Sequence, residues 1–222
     1  MREILGERRT NGNGKGHGHG LALRGAALVY ARQWGWPVLP GVGTDADGTC
    51  GCPRANCVVP GAHPVDPGLL AATTDARMVQ WWWTARPSAP IVLATGGRAP
   101  CALSLPAVAA AGALAELERR AVPTGPVVAA PTRWMLLVEP YGLPELGELL
   151  GALDRVPSSL RFHGPGGYVP LPPSRTGSGG VGWAREPEPT EGRVPLPRAA
   201  DLIDALVEAG LNAPEPGGWL AL

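Results

Sequence analysis

Three of the four cysteines and one of the four histidines lie in a stretch of fourteen residues, from Cys50 to His63. Zinc favours four tetrahedral ligands and accepts three thiolates and one imidazole as a structural set. Glycines and prolines surround the four positions, and these residue types let a backbone turn sharply around a central ion. The spacing therefore predicts a zinc knuckle over residues 48–64, with Cys50, Cys52, Cys57 and His63 as the ligands.

A second interpretation treats the cysteines as incidental members of a loop and His63 as solvated. A single residue separates Cys50 from Cys52, which is tighter than the roughly two to four residues that zinc sites commonly have. A disulfide framework suits so compact a loop less well than a metal does. Cys101 is expected to lie outside the cluster, as a small buried apolar side chain.

The composition restricts the classes of function. The chain has 19 basic and 19 acidic residues and no net charge, which argues against a strong non-specific grip on nucleic acid. It contains no apolar run of about eighteen residues, the length of a membrane-spanning helix, and no apolar signal core at its N-terminus. We therefore expect a cytoplasmic protein without a membrane partner. Arginine stands at every basic position but Lys15, a bias that indicates a high-GC bacterium.

Apolar periodicity and turn residues predict the elements that position these side chains. Helices are expected at 21–34, from 74 to before Pro87, and at 107–120, 145–153 and 199–209 with Gly210 as the last cap. Strands are expected at 36–40, 91–95, 101–105, 126–130, 134–138, 160–162, 168–171 and 181–184. Strands and helices alternate, with hairpins late in the chain, so the fold class is α/β or α+β.

The domain organisation follows from the same pattern. Residues 1–20 are rich in glycine and histidine and have no apolar periodicity, which predicts a flexible tail. Residues 21–190 form the main domain, and residues 191–222 form a linker and a C-terminal helix. Trp81, Trp82 and Trp83 cannot share one helix face, so at least one indole is expected to be exposed, where it can stack on a base or contact a protein.

Four stretches, in this order, resemble the N-terminal domain of the bifunctional DNA primase/polymerases (prim-pol), in the archaeo-eukaryotic primase superfamily. They are the helix end and strand at 30–40, the knuckle end Gly-Ala-His-Pro at 61–64, the helix and glycine-terminated strand at 72–96, and Gly-Gly-Tyr-Val-Pro-Leu-Pro-Pro-Ser at 166–174. The resemblance covers about residues 22–186. It implies a two-layer fold with a small zinc knuckle near the N-terminus.

The resemblance also implies where catalytic groups should stand. Members of this family join nucleotides with two or three carboxylates that hold divalent metals, and two metals about 4 Å apart clamp the attacking and leaving oxygens. Ser104 and Pro106 occupy the positions of the first two acids, Arg161 that of the third, and Trp134 that of a basic histidine. No aspartate lies between positions 76 and 153. The chain is therefore expected to lack catalytic Mg²⁺ or Mn²⁺ and to be no enzyme.

Three functions remain open at this point. The leading hypothesis is an inactive prim-pol-like accessory module in DNA replication or mobile-element biology, which binds a nucleotide, single-stranded nucleic acid or a replication protein weakly. Its ligand-binding residues would be Arg133, Arg161 and Ser174. The second is an active nucleotidyltransferase that uses acids elsewhere, for which Asp154, Glu186 and Glu188 are candidates. The third is a structural protein-interaction module that uses the helix bearing Trp81–Trp83.

Overall fold

The computed structural model of the protein describes residues 13–213, without the side chains of 13–17. Five α-helices lie in this range: α1 (Asn13–Arg32), α2 (Ala76–Ala85), α3 (Ala107–Arg119), α4 (Leu143–Gly151) and α5 (Ala199–Asn212). The strands are β1 (Val38–Pro40), β2 (Ile91–Ala94), β3 (Cys101–Pro106), β4 (Val127–Ala129), β5 (Arg133–Val138), β6 (Arg161–His163), β7 (Tyr168–Leu171), β8 (Arg175–Thr176), β9 (Gly179–Gly180) and β10 (Gly182–Arg185).

The larger strands form two antiparallel sheets. The first has the order β1-β2-β7 and the second the order β10-β4-β5-β3-β6, while β8 and β9 form a separate hairpin. All of these strand pairs are antiparallel. Along the chain, α2 lies between β1 and β2, α3 between β3 and β4, and α4 between β5 and β6. The expected mixture of helix and strand is confirmed, and its class is α+β.

Two apolar cores hold the sheets and helices together. The first joins α1, α2 and the three-stranded sheet to one face of the five-stranded sheet, which contributes Ala102, Val128, Met135 and Leu137. The second lies on the opposite face, where Leu103 and Leu105 of β3 pack with α3 and α5. Alternation along each strand sends successive side chains to opposite faces, so β3 is buried on both sides and sits at the centre of the molecule.

The chain passes from one sheet to the other between β6 and β7. Thr95, the residue directly after β2, holds this crossing, because its backbone N–H donates to Gly167 O at 3.0 Å and its hydroxyl donates to Gly164 O at 2.7 Å. A Cβ atom at Gly167 would lie 2.8 Å from the Thr95 hydroxyl oxygen. Glycine therefore allows the crossing to lie directly against β2.

The N-terminal helix begins earlier than its sequence predicts. We expected a tail over residues 1–20, but α1 starts at Asn13, so residues 13–20 are helical and only residues 1–12 of that segment lie outside the described range. Gly20 is buried, and a Cβ atom added to it would lie 3.0 Å from Cβ of Pro87. The first turns of α1 contain several glycines, whose intrinsic helix propensity is low. The close packing of Gly20 against the turn after α2 occurs in this part of the helix.

The C-terminal helix is part of the domain rather than an appendage to it. Leu202, Ile203 and Leu206 of α5 are buried in the second core, so the boundary we placed at residue 190 does not mark the end of the fold. Gly210 does not cap this helix, which continues to Asn212. A Cβ atom at Gly210 would lie 2.6 Å from Cγ of Pro157, so the glycine permits close packing instead.

The second helix divides its tryptophans between core and solvent. Trp82 and Trp83 are buried, and the indole N–H of Trp83 donates to Ala89 O at 2.9 Å. Trp81 is 60% exposed, which confirms that one indole of the three faces solvent. Asp75 is the N-cap of this helix, and its side chain accepts from the backbone N–H of Arg77 at 2.8 Å.

Among residues 13–213, no helix combines the length and the apolar character that a membrane crossing requires.

Ser174 has a structural position that differs from the ligand-binding role we expected. Its side chain is buried, and its hydroxyl oxygen accepts from the backbone N–H of Ile91, the first residue of β2, at 2.7 Å. The hydroxyl lies 3.4 Å from Ile91 O, to which it donates. Ser174 therefore ties the segment after β7 to the start of β2.

Replacing Ser174 with alanine should destabilise the protein without changing anion binding. The substitution leaves the buried N–H of Ile91 without its partner, which costs about 1–3 kcal/mol in the free energy of unfolding. Urea denaturation followed by tryptophan fluorescence measures this change. Ser158→Ala, at an exposed position, is the matched control and should be neutral. A Ser174→Ala variant as stable as the wild type would contradict the structural role.

Candidate functional site

The knuckle is a loop between β1 and α2 whose backbone closes on itself. Val42 N–H donates to His63 O at 2.9 Å, and Gly51 N–H donates to Gly43 O at 3.1 Å. Gly61 has a φ of 72°, and a Cβ atom there would lie 2.8 Å from the Thr44 methyl group. These contacts bring the two ends of the loop together, so that residues distant in the loop can share one centre.

The four expected ligand residues converge. Their donor atoms all lie within 4.8 Å of one another, and His63 Nε2 is 3.3 Å from the sulfur atoms of both Cys50 and Cys57. Ligand atoms around a tetrahedral zinc ion lie about 3.5–3.8 Å apart, given Zn–S of about 2.3 Å and Zn–N of about 2.0–2.1 Å. The cluster can therefore hold a metal ion, and its donor set suits zinc.

Hydrogen bonds from neighbouring groups favour the metal-binding forms of His63 and Cys50. Nδ1 of His63 lies 3.3 Å from Pro64 O, so a proton on Nδ1 can be donated there, which leaves the Nε2 lone pair for a metal. The backbone N–H of Gly61 donates to the Cys50 sulfur at 3.4 Å. Burial alone would raise the pKa of Cys50, but hydrogen bonds from Gly61, Cys52 and His63 lower it to about 6, which favours the thiolate that binds metal.

Cys101 lies apart from this cluster, as expected. It is buried in the second core, where its sulfur accepts from the backbone N–H of Tyr141 at 3.5 Å.

A cavity of about 390 Å³ lies beside the knuckle. The knuckle segment 58–62 forms one wall of this cavity. Residues of β5 and β6 form a second wall, and β7 with the β8–β9 hairpin forms a third. The lining residues are Val58, Val59, Pro60, Ala62, Ala130, Thr132, Arg133, Met135, Arg161, His163, Gly167, Tyr168, Pro170, Thr176 and Ser178. No carboxylate is among these described residues. We call this cavity the cleft.

The register of the five-stranded sheet determines the cleft floor. Ser104 pairs with Met135 on β5 and with Arg161 on β6, and Pro106 pairs with Arg133. Paired residues in an antiparallel sheet point to the same face. Arg161 therefore lies directly across from Ser104, and both side chains are on the cleft side of the sheet.

Trp134 does not face the cleft. It pairs with Leu105 and packs against the second core, on the opposite side of the sheet from Ser104. Trp134, which we placed near the position of the basic histidine, therefore does not line the cleft, and Arg133 and Met135 are the residues of β5 that do. Alternation reverses the face at every residue of a strand, so neighbouring positions of β5 point to opposite sides of the sheet.

A polar network fills the floor of the cleft. Ser104 is fully buried, and its hydroxyl lies 2.9 Å from Nε2 of His163. Arg133 donates from Nε to the Ser104 hydroxyl oxygen at 3.0 Å and from Nη2 to Ser104 O at 2.8 Å. Nη2 of Arg133 also donates to Ser159 O. The Ser104 hydroxyl thus accepts from Arg133 and can donate to His163, which requires an unprotonated Nε2.

The electrostatics of the network agree with a neutral imidazole. Burial, followed by the positive charge of Arg133, lowers the pKa of His163 to about 4. Burial, followed by the charge of Arg161, lowers the pKa of Arg133 to about 10. At neutral pH the cleft therefore carries two guanidinium charges and an uncharged His163.

We did not identify His163 from the sequence. The signal was present, because His163 stands two residues after Arg161 and alternation along a strand places both on one face. His163 pairs with Ala102, next to Ser104 along that face of β3.

The remaining sequence candidates lie elsewhere. Ser174 is buried against β2 and does not reach the cleft. Asp154 is exposed in the segment between α4 and β6. Glu186 and Glu188 line a different cavity, beside Thr124 and Arg185. The structure therefore brings Arg133, Arg161 and Ser104 together and leaves the candidate acids apart.

Purified protein should contain about one zinc ion per chain, because four donors of the right kind converge. Chelation should lower the melting temperature on the order of 10 °C, since structural zinc supplies several kcal/mol of folding free energy. Elemental analysis and thermal denaturation measure both. The Cys57→Ser variant should lose the metal. The Cys101→Ala variant, which removes a thiol in the second core away from the knuckle, should keep it. A melting temperature that chelation leaves unchanged would refute the site.

His163 should stay neutral down to about pH 5, well below the usual histidine pKa of about 6.5. Because the unfolded chain then binds more protons than the folded one, His163 contributes its full stability above pH 6.5 and loses it as the pH falls toward 4. NMR titration of the histidine ring protons measures this pKa, and the resonance missing from His163→Gln assigns it. Titration of that resonance near pH 6.5 would contradict the network.

Comparison with known proteins agrees with this arrangement. The family model for the bifunctional DNA primase/polymerase N-terminal domain matches residues 27–200, well over half of the chain. No curated protein sequence and no solved structure gives a match. The matched region contains the metal-ligand cluster, every strand of both sheets and the cleft between them. The chain belongs to the bifunctional DNA primase/polymerase N-terminal family.

Proposed function

We propose that this protein is a prim-pol module that no longer joins nucleotides and instead binds a nucleotide or single-stranded nucleic acid in its cleft. One observation carries the proposal. Where the family resemblance places acids, Ser104 and Arg161 stand side by side on two paired strands. Ser104 is buried beneath the cleft and Arg161 lines it, and no carboxylate lines the cleft among the described residues.

These substitutions oppose two-metal chemistry. In-line phosphoryl transfer uses metal ions that stabilise the attacking and leaving oxygens, and such ions require oxygen ligands of negative charge. Ser104 offers only a hydroxyl, which is already engaged by Arg133 and His163. Pro106 offers no side-chain oxygen, and the guanidinium of Arg161 repels a cation.

An active enzyme with acids elsewhere is less consistent with the geometry. Among the described residues, only one group of three or more histidine, cysteine, aspartate or glutamate side chains is placed to hold a metal ion. It is the cluster of Cys50, Cys52, Cys57 and His63 in the knuckle. Asp154, Glu186 and Glu188 do not line the cleft. A second site of nucleotide transfer would need these acids to move together.

Binding of an anion is the chemistry that the cleft retains. Arginine presents a planar fork of donors that suits phosphate oxygens, and Arg133 and Arg161 both line the cavity. The net charge of zero supplies no long-range attraction, so we expect weak and salt-dependent binding. A cytoplasmic role in DNA replication or in a mobile element, beside a replication protein, is the setting that the family suggests.

A protein-interaction module is the second candidate, and the surface of α2 favours it. Trp81 is 60% exposed and Met78, one turn before it, is 44% exposed. Tryptophan and methionine are enriched at protein interfaces. This candidate becomes the better account if the cleft binds no ligand.

Primer extension with Mg²⁺ or Mn²⁺ should give no product above background, with or without a template, because no carboxylate in the cleft can hold the metals. Denaturing gel electrophoresis of a labelled primer measures incorporation. An enzyme that makes product, and stops when Asp154→Asn or Glu186→Gln is introduced, would overturn the proposal and establish the active alternative.

The anisotropy of the same labelled primer reports binding without chemistry. Two arginine contacts to phosphate predict a slope of about −1.4 for log K against log salt on a single strand. Absence of binding at low salt, or binding that Arg161→Gln leaves unchanged, would favour the α2 surface instead.

A further inference from the structure

We propose that the cleft binds a phosphate monoester directly on Arg133 and Arg161, without a divalent metal ion. The ligand would be a nucleoside monophosphate or the terminal phosphate of a single strand, which share this chemistry. The inference rests on the proposed function, because it names the ligand of the same cleft.

Arg133 is held in place for such a contact. Its Nε and Nη2 groups donate to the side chain and backbone of Ser104 and to the backbone of Ser159. A guanidinium has five N–H donors, so the two protons on Nη1 remain, and no partner for them is found among residues 13–213. A side chain fixed by its own hydrogen bonds loses little entropy when a ligand arrives.

The two arginines lack a counter-charge in the described part of the chain. No hydrogen bond or ion pair involves the guanidinium of Arg161 there, and its charge contributes to the lowered pKa of Arg133, after burial. A phosphate monoester carries about −1.5 to −2 charges at pH 7, which balances two guanidinium groups. A phosphodiester supplies less charge, and a triphosphate supplies more than two arginines can neutralise.

The shape of the cleft suits one nucleotide. A cavity of about 390 Å³ is within the size range of small-molecule sites. Tyr168 and Pro170 line it from β7, opposite the knuckle residues Val58 and Val59, and an aromatic side chain can stack on a base of any sequence. The phosphate would then lie at the arginines and the base against Tyr168.

A second cavity gives room for a longer ligand. It measures about 460 Å³ and shares Val58, Val59 and Tyr168 with the cleft, while Arg54 and Asn56 line it from the knuckle. A strand whose terminal phosphate sits in the cleft can continue past Tyr168 toward Arg54. Both sources of the monoester are therefore compatible with the surface.

Isothermal titration of the zinc-loaded full-length protein tests the inference, in low-salt buffer freed of divalent ions without a chelator. The probes are deoxyadenosine, its 5′-monophosphate, its 5′-triphosphate, and a strand of about ten nucleotides with and without a 5′-phosphate. The monophosphate should bind and deoxyadenosine should not. The 5′-phosphate should raise the affinity of the strand about tenfold, and added Mg²⁺ should strengthen neither interaction.

Two variants locate the binding. Arg161→Gln should weaken monophosphate binding about tenfold while keeping or raising the melting temperature, because it removes a charge that opposes Arg133. Arg175→Gln changes an exposed arginine outside the cleft and should bind as the wild type does. Loss of binding in both variants, or in neither, would overturn the assignment.

The titrations distinguish a failure of phosphate-monoester binding from a failure of nucleotide or nucleic-acid binding in the cleft as a whole. A strand that binds equally with and without its 5′-phosphate, or a triphosphate that binds more tightly than the monophosphate once Mg²⁺ is added, overturns the inference and leaves the proposed function standing. No binding of any probe overturns both. Tighter binding of the phosphorylated strand than of the monophosphate identifies a strand end as the source, and the reverse identifies the free nucleotide.

Discussion

The hydrogen bonds that join β3 to β5 on one side and to β6 on the other determine which side chains the cleft contains. A shift of one residue would turn Ser104 toward the helices and bring Leu103 or Leu105 into the cleft. Burial of β3 on both faces opposes such a shift, because Leu103 and Leu105 fill the second core while Ala102 belongs to the first. The polar network of Ser104, Arg133 and His163 depends on this register.

The knuckle contributes shape to the same site rather than chemistry. Its segment 58–62 forms one wall of the cleft, and Gly177 N–H donates to Pro60 O at 2.9 Å, which joins the knuckle to the β8–β9 hairpin. A loop so rich in glycine and proline has little apolar surface to bury, so a metal ion bound to its four ligand residues would supply much of its order. The knuckle and the two arginines Arg133 and Arg161 thus line the same cavity.

The features that depend on local sequence pattern could be predicted from the sequence. The features that depend on packing between distant segments could not. Spacing alone identified Cys50, Cys52, Cys57 and His63, because ligands near in the chain need only a tight loop. Apolar periodicity identified the central strands and helices, but not the start of α1, where packing of Gly20 on Pro87 accompanies helix formation. The local pattern did not reveal that Trp134 packs away from the cleft or that His163 lines it, because strand register follows from pairing between distant segments.

The way Arg133 is held determines what an acidic side chain at position 104 would contact. Its Nε and Nη2 groups already donate to the side chain and backbone of Ser104. A carboxylate introduced at position 104 would form an ion pair with that guanidinium before it could contact a metal ion. A metal site on this part of the sheet would therefore need changes at both positions 104 and 133. The two positions are thus epistatic, because the effect of an acid at one depends on which residue occupies the other.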